Sequence, residues 1–500
     1  MGLSRNNRVV IYMSAESTKS PALREDILTL VLFTLLYVPY VAHAAVTRPF
    51  WLDELFTFYI VTMPDSAGMM DLIQRGPDQN PPLFYALTRL VVSALGESEW
   101  AFRLPAMVGY WVFCVTLYAW VRLLGGARAA ALAALVTPVL TAAVYYASEA
   151  RPYGLALGWL GIGLLGWQLT RHPSWQAVGI VGLSTGLSIA LALHYLIILP
   201  VCLLWAIEGL LAWRQRQLDG RRWIAMFSPL VVLALHSSFL YRQGQQRFWK
   251  ISLEWKELAD FYWWLLGSPA CLGLCAVVGL LTWSSLRRRT IHNRNADVWL
   301  ISGVGFLCLP LLWMTFLKVT HQAMFQERYL LPTLVGLGGL TAYGLRHLPE
   351  HQTRLTTLAI WCLLGIPVSG AAMQPWRLSP PSVAEVMDLP NPDYPVVAAA
   401  HLYFPIRYYY PGQFSQLVYV DPKKREPPSV ATGIWALQRH PDAPIWLDND
   451  EFFSLWEGNF YFTCHKTYMK HWIGEFERRG YPIVRETPGY IVYEWQRKRM

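Results

Sequence analysis

Charge is scarce in this chain. Asp, Glu, Lys and Arg make up 15% of its 500 residues, against about a quarter in soluble globular proteins, so a purely soluble array of domains is excluded. Cysteine is sparse and badly placed for cross-linking. Of seven, Cys114, Cys202, Cys271, Cys275, Cys308 and Cys362 lie inside apolar stretches and only Cys464 outside them. That leaves no disulfide framework and no CxxC metal site; Cys271 and Cys275, one helical turn apart, read as packing. From Gln374 onward no GxGxxG or phosphate-cradling P-loop occurs, which argues against a soluble nucleotide-binding domain there. No nucleic-acid motif accompanies the net charge of +9. The basic residues stand in short clusters between apolar runs, the pattern of cytoplasmic membrane loops. Asn6 stands where a myristoylation motif needs Ser or Thr.

What is abundant is apolar. Hydrophobic residues reach 54%, with 24 Trp and 26 Tyr, and mean hydropathy is +0.27. Runs long enough to cross a bilayer core of ~30 Å recur at Ile27–Val46, Leu104–Leu124, Ala129–Tyr146, Tyr153–Thr170, Ala177–Leu193, Leu196–Trp213, Trp223–Leu240, Phe261–Trp283, Val298–Leu317, Tyr329–Leu345 and Leu355–Met373. The expectation is a polytopic α-helical membrane protein of about eleven spans. Ala42-His43-Ala44 mimics a signal-peptidase site, but the run before it is long, so an uncleaved signal-anchor is expected.

Arg5, Arg8, Lys19 and Arg24, then Arg122 with Arg128, Arg171, Arg214 to Arg222, Arg287 to Arg294, and Arg346 with Arg354 all fall on one side if the span count is right. That side is read as the cytoplasm. Residues 1–26 then form a cytoplasmic tail, 27–373 a transmembrane domain with a first outer loop at 47–103, and 374–500 an extracytoplasmic domain. Within the loop, Asp65 to Arg75 reads as an amphipathic helix lying on the membrane, with Met69, Met70, Leu72 and Ile73 toward lipid. Strands expected at 396–400, 417–420, 445–447 and 490–493, with helices at 383–387, 430–439 and 470–479, make the last segment α/β.

Polar clusters gather at the outer ends of the runs. Asp53-Glu54 follows the first span directly, and a carboxylate pair there is costly to desolvate. Asn80-Pro81-Pro82-Leu83-Phe84-Tyr85, Ser148-Glu149-Ala150-Arg151-Pro152-Tyr153, His194-Tyr195 and Glu327-Arg328-Tyr329 follow. Singly, each has an ordinary explanation: a helix cap, a turn, an ion pair at a helix end, an interfacial histidine, a snorkelling arginine. Glu208, inside a span, is expected to be paired or beside water, and Gly182 with Gly186 reads as helix packing. Together, the outer clusters could handle a lipid phosphate and a sugar.

In order and spacing these segments resemble the GT-C class of membrane glycosyltransferases, in particular protein O-mannosyltransferases (glycosyltransferase family 39) and the bacterial transferases that put aminoarabinose on lipid A. Asp53-Glu54 is similar to that group's opening pair, Asn80 to Tyr85 to its His-Pro-Pro-Leu-Tyr-Tyr segment, and Glu149 to Tyr153 to its Glu-Ala-Arg-Pro-Tyr loop. His194-Tyr195 and Arg328 to Pro332 are similar to its later His-Tyr and Arg-Tyr-Leu-Leu-Pro elements. The likeness runs from about residue 25 to 345. It implies an inverting transferase on the outer face of a bacterial inner membrane, with a polyprenyl-phosphate-linked sugar as donor and a lipid, glycan or protein as acceptor.

On that reading Asp53 is the general base, Glu54 positions donor or acceptor, and Arg151 and Arg328 bind the donor phosphate. Asn80, Tyr85, Glu149, Tyr153, His194, Tyr195, Glu327 and Tyr329 form the pocket. Asn80 stands where many relatives carry His, and an amide is the poorer metal ligand. A divalent cation is therefore an open cofactor, with Asp53 and Glu54 its candidate ligands. The competing readings are a lipid-linked sugar transporter or flippase, and a polysaccharide polymerase or ligase. A transporter tends to keep charges at the midplane and to show repeated halves, neither of which is seen.

Overall fold

The structure, a computed structural model, describes residues 19–75, 78–244, 253–286, 294–322, 325–345, 350–374, 388–411, 417–420, 445–446, 458–466 and 470–495. The first apolar run is α1 (Lys19–Thr47), and the loop after it folds into α2 (Leu52–Val61), α3 (Ser66–Arg75) and α4 (Pro82–Leu95). Pro82 opens α4 at a position where the missing N–H is harmless. The bundle continues through α5 (Glu99–Leu123), α6 (Arg128–Leu140), α7 (Pro152–Leu169), α8 (Gln176–Leu193) and α9 (Ile198–Gln215). Then come α10 (Gly220–Phe227), α11 (Pro229–Leu235), α12 (Ser237–Gly244), α13 (Lys256–Leu266), α14 (Pro269–Leu286), α15 (Arg294–Leu307), α16 (Leu309–Val319), α17 (Thr333–Gly344) and α18 (Glu350–Ala372).

Among the described residues, five helices are long and apolar enough to cross a membrane, or up to eight crossings if three bent pairs each count as one. The expectation of about eleven straight spans is not reproduced. Hydropathy counts apolar length and cannot see where a helix breaks. The run at 129–146 breaks after α6, and the chain turns by 74° into a 3₁₀ segment, Ala142–Ser148. The run at 261–283 bends by 88° between α13 and α14, at Gly267-Ser268-Pro269, where proline disfavours helix at the residue before it. Pro229 similarly helps to divide 223–240 into short helices. Tyr329–Leu345 is helical only over the 12 residues of α17.

Close backbone contact ties the centre of the bundle together. A Cβ on Gly158 of α7 would lie 2.4 Å from the Gly109 carbonyl of α5, and one on Gly186 of α8 would lie 2.4 Å from the Gly163 nitrogen of α7. The Gly186 contact is the packing expected of the GxxxG spacing. With α5, α7 and α8 so close, the loops at their ends are fixed relative to one another. At one end Arg122 and Arg128 pair with Asp26, at 3.0 and 3.2 Å. Arg171 and Arg222 both pair with Glu208, which is therefore paired, as expected. The clusters around Asp53, Asn80, Arg151, His194 and Arg328 meet at the other end.

Helix α3 forms where expected but differs in orientation. Met69, Leu72 and Ile73 are buried in the protein core, with α2 and α12 packed against the helix, so its apolar face meets protein and not lipid.

The last segment is α/β. Among the described residues its six strands, β1 (Val396–Ala399), β2 (Leu417–Val420), β3 (Ile445–Trp446), β4 (Phe460–His465), β5 (Ile483–Glu486) and β6 (Tyr490–Trp495), lie in the order β3-β2-β1-β4-β6-β5. The first four pair in parallel, and β6 runs antiparallel to β4 and β5. Helix α19 (Ala400–Tyr409) follows β1, and α20 (Lys470–Arg478) follows β4. The expected helices at 383–387 and 430–439 lie outside the described residues. β4 escapes sequence reading because it is buried on both faces and shows no alternation. α19 escapes because Pro405 and its aromatics do not read as helix.

Candidate active site

Trp51 caps α2, so Asp53 and Glu54 occupy its first turn, where the helix dipole favours carboxylates. Neighbours on a helix point about 100° apart, and the two acids have separate surroundings. Glu54 is 1% exposed. Its Oε1 accepts from Arg103 Nε at 2.8 Å and from the Ala150 N–H at 2.7 Å; its Oε2 accepts from Arg103 Nη2 at 2.7 Å and from the Trp51 N–H at 3.3 Å. Arg103 also donates to the carbonyls of Ala45, Arg48 and Pro49. This corrects the expectation for Glu54. Both oxygens are committed within the protein, so it joins α2, α5 and the Glu149–Arg151 loop.

Asp53 is the accessible acid, its side chain 20% exposed. Its Oδ2 accepts from Arg328 Nη1 at 2.8 Å and lies 4.0 Å from Arg151 Nη2. The structure thus unites three residues that the sequence assigned to one site. Arg151 differs from expectation in its engagement. Asp78 grips its guanidinium with both carboxylate oxygens, one of them 2.9 Å from Nη2, and Nη1 also donates to the Asp53 carbonyl at 3.1 Å. Burial works against the charge on Asp78, but Arg151 outweighs it and holds the carboxyl below its usual value. Asn80 donates to Asp78 Oδ2 at 3.0 Å, with Tyr85 buried beside it. Asn80 therefore serves the Asp78–Arg151 pair.

Three rings line the cluster. His194 lies 5.3 Å from Tyr153 and 5.5 Å from Tyr329 between ring centroids. Burial, reinforced by Arg151 and Arg328, pushes the His194 imidazole down to about 3, so it is neutral. Arg328 sits over the rings of Trp51 and Tyr329, at 5.8 and 5.4 Å, positions that suit cation–π attraction. Glu149 is fully buried. Its Oε1 accepts from the Trp51 indole at 2.6 Å, while Oε2 has no hydrogen-bond partner among the described residues. Burial first, then the nearby charge of Glu54, push its carboxyl up to about 8.

Two expected pocket residues do not join. The Tyr195 hydroxyl pairs with His236 Nδ1 at 3.1 Å, because the helix break at His194 sends successive side chains different ways. Glu327 is exposed. Sequence reading missed Asp78 and Arg103 as site-builders. Their one signal was a charge beside the Asn-Pro-Pro turn and another near the start of an apolar helix.

The carboxylates do not fit a metal ion. Both Glu54 oxygens are held by Arg103 and backbone N–H groups, and Asp53 carries Arg328. Among the described residues no three His, Cys, Asp or Glu side chains converge. Chemically, the cluster offers one accessible carboxylate beside one partly exposed guanidinium, in a wall of aromatic rings.

Residues 79–241 match the family model described as dolichyl-phosphate-mannose-protein mannosyltransferase. That stretch includes Asn80, Glu149, Arg151 and His194, but not Asp53 or Arg328. No curated protein matches the chain in sequence. In fold, ArnT from Cupriavidus metallidurans in the apo state is similar with a TM-score of 0.62 at 13% identity, covering 95% of this chain and 98% of that one. The same protein bound to undecaprenyl phosphate gives 0.56 at the same identity and coverage. The chain resembles the GT-C class of membrane glycosyltransferases, in sequence over residues 79–241 and in fold over nearly its whole length.

Proposed function

We propose that this chain is an inverting glycosyltransferase that moves a sugar from a polyprenyl-phosphate donor to a lipid, glycan or protein acceptor on the outer face of a bacterial inner membrane. The observation that carries the reading is the Asp53–Arg328 pair. Its side chains are 20% and 23% exposed, whereas the neighbouring Glu54–Arg103 pair is sealed at 1% and 0%. Of the three ion pairs that the α2 acids make, with Arg103, Arg151 and Arg328, this one is the most exposed.

In the proposed reaction the donor phosphate draws the Arg328 guanidinium to itself through charge-assisted hydrogen bonds, which releases Asp53. Asp53 then takes the acceptor hydroxyl proton as that oxygen attacks the anomeric carbon. The bond from the anomeric carbon to the phosphate oxygen breaks on the opposite face. The phosphate leaves with the electron pair and gains a second negative charge. Asp53, Asp78, Arg151 and Arg328 sum to zero charge before reaction. Once Asp53 is protonated the set carries one net positive charge, which favours the departing phosphate. Tyr153, His194 and Tyr329 would pack against the apolar faces of the sugar.

The donor class is supported by the lack of any GxGxxG or P-loop in the segment from Gln374 onward and by the ArnT of this fold that binds undecaprenyl phosphate. Orientation rests on charge: the basic loops place the N-terminus in the cytoplasm and residues 374–500 outside. A reporter active only outside the cytoplasm should work when fused after Met500 and be silent after Arg216.

The purified chain is to be incubated with labelled polyprenyl-phosphate pentoses and hexoses and with membrane lipid, glycan and protein fractions. Label should enter one of those fractions with inverted anomeric configuration. Transfer from a nucleotide sugar would overturn the donor. Label that crosses a vesicle bilayer with no new glycoside would make the protein a transporter.

A further inference from the structure

Helix α19 of the C-terminal domain lies along α2. Phe404 contacts Phe56 and Tyr59 edge-on or tilted, at 5.2 and 5.5 Å between centroids, and Tyr408 contacts Phe50 and Phe58 at 5.5 and 4.8 Å. At the end of α19 the Tyr409 hydroxyl accepts the Phe50 N–H and donates to Glu99 Oε1 at 2.7 Å. Glu99 Oε2 in turn faces Arg103 Nη1 at 3.4 Å. Arg103 grips the same turn from the bundle side, through the carbonyls of Arg48 and Pro49 and through Glu54. The turn Arg48–Trp51, which aims α2 and hence Asp53, is therefore clamped between two domains.

We infer that Tyr409 is a positioning residue for the proposed transfer: its hydroxyl holds the turn that presents Asp53, so the C-terminal domain is a working part of the catalytic centre. The inference rests on the glycosyltransferase reading for its consequence, but not for its geometry. Packing alone would need only rings at this contact. A hydroxyl that uses both its donor and its acceptor, on a backbone amide three residues before Asp53 and on the acid next to Arg103, fixes register as well as proximity. Removing it leaves the Phe50 amide and Glu99 short of partners at a part-buried site, a loss on the order of one hydrogen bond each.

The test compares the full-length wild type with Tyr409→Phe, which keeps the ring and its packing. Amide exchange of the peptide spanning residues 48–52 should quicken, while peptides in β1 and β4 stay unchanged. Turnover should fall about tenfold, with the KM for the lipid-linked donor within about twofold. The change should be non-additive with Glu99→Ala, because both variants break one linkage. Unchanged exchange at 48–52 would overturn the clamp. Faster exchange with unaltered turnover, or a donor KM that rises as much as turnover falls, would overturn its catalytic role. If the wild type itself moved no sugar from the lipid-linked donor, the transferase reading would fail, and the exchange comparison would still decide the clamp.

Discussion

Arg328 Nη1 donates to Asp53 Oδ2 at 2.8 Å across 275 residues of sequence. The contact joins the turn after the first apolar helix to the turn before α17. The pair is only partly exposed, its side chains at 20% and 23%, and solvent screens part of its attraction. On the proposed mechanism it keeps the base oriented until an anion competes for the guanidinium.

Asp53→Asn preserves shape and removes the proton acceptor. Single-turnover transfer should drop by ~10²–10⁴-fold, with the thermal midpoint in detergent little changed. Near-normal transfer would remove Asp53 from the chemistry.

The two arginines should separate cleanly. Arg328→Ala should cut turnover more than donor affinity, and Arg328→Lys should rescue only in part, because ammonium lacks the planar fork. Arg151→Ala should act on folding instead. It strands the buried Asp78 carboxylate, a loss of about 3–5 kcal/mol, and Asp78→Asn in the same chain should restore part of the yield. Equal effects of the two alanine variants on folding would dissolve the distinction.

Much of the site was legible because its residues are charged and sit where charge is expensive. Asp53, Arg151, His194 and Arg328 all stood at apolar-run ends, and the structure gathers them. What the sequence could not convey is who holds whom. Glu54 looks like Asp53 on paper, yet a rotation of about 100° around α2 turns it to Arg103 and out of reach. Likewise nothing in Tyr408-Tyr409-Tyr410 marks the middle ring as the one that meets Phe50 and Glu99. The apolar runs gave the bundle its class but not its breaks, because Gly267, Pro269 and Thr141 redirect a helix without lowering its hydropathy much.

Glu54→Gln should accordingly look unlike Asp53→Asn. It takes from buried Arg103 its nearer counter-charge and leaves only Glu99 at 3.4 Å, and destabilisation of about 3–5 kcal/mol is expected, read as a lowered thermal midpoint. Adding Arg103→Met should recover part of it, since the uncompensated cation is then gone. A Glu54→Gln protein as stable as wild type but inactive would return Glu54 to the chemistry.

Glu149 supplies the pH dependence. Burial, then the charge of Glu54, raise its carboxyl from 4.5 to about 8 in the folded protein. Between those values the folded chain keeps a proton that the unfolded chain gives up, so stability falls as pH rises through that window and levels off above it. Below about 4.5 the residue is neutral in both states and contributes no slope. Glu149→Gln cannot ionise, and its carbonyl can still accept the Trp51 indole N–H. Subtracting its thermal midpoints from those of wild type, between pH 5 and 9, should leave a difference that moves steadily against wild type and flattens above about pH 8. Function should follow the same group. Ionised Glu149 would add a negative charge near Arg328 and compete with the donor phosphate. The donor KM of wild type should therefore rise above pH 8, while that of Glu149→Gln stays flat. Parallel pH profiles for the two proteins would show that Glu149 is already ionised at neutral pH, or that its charge does not reach Arg328.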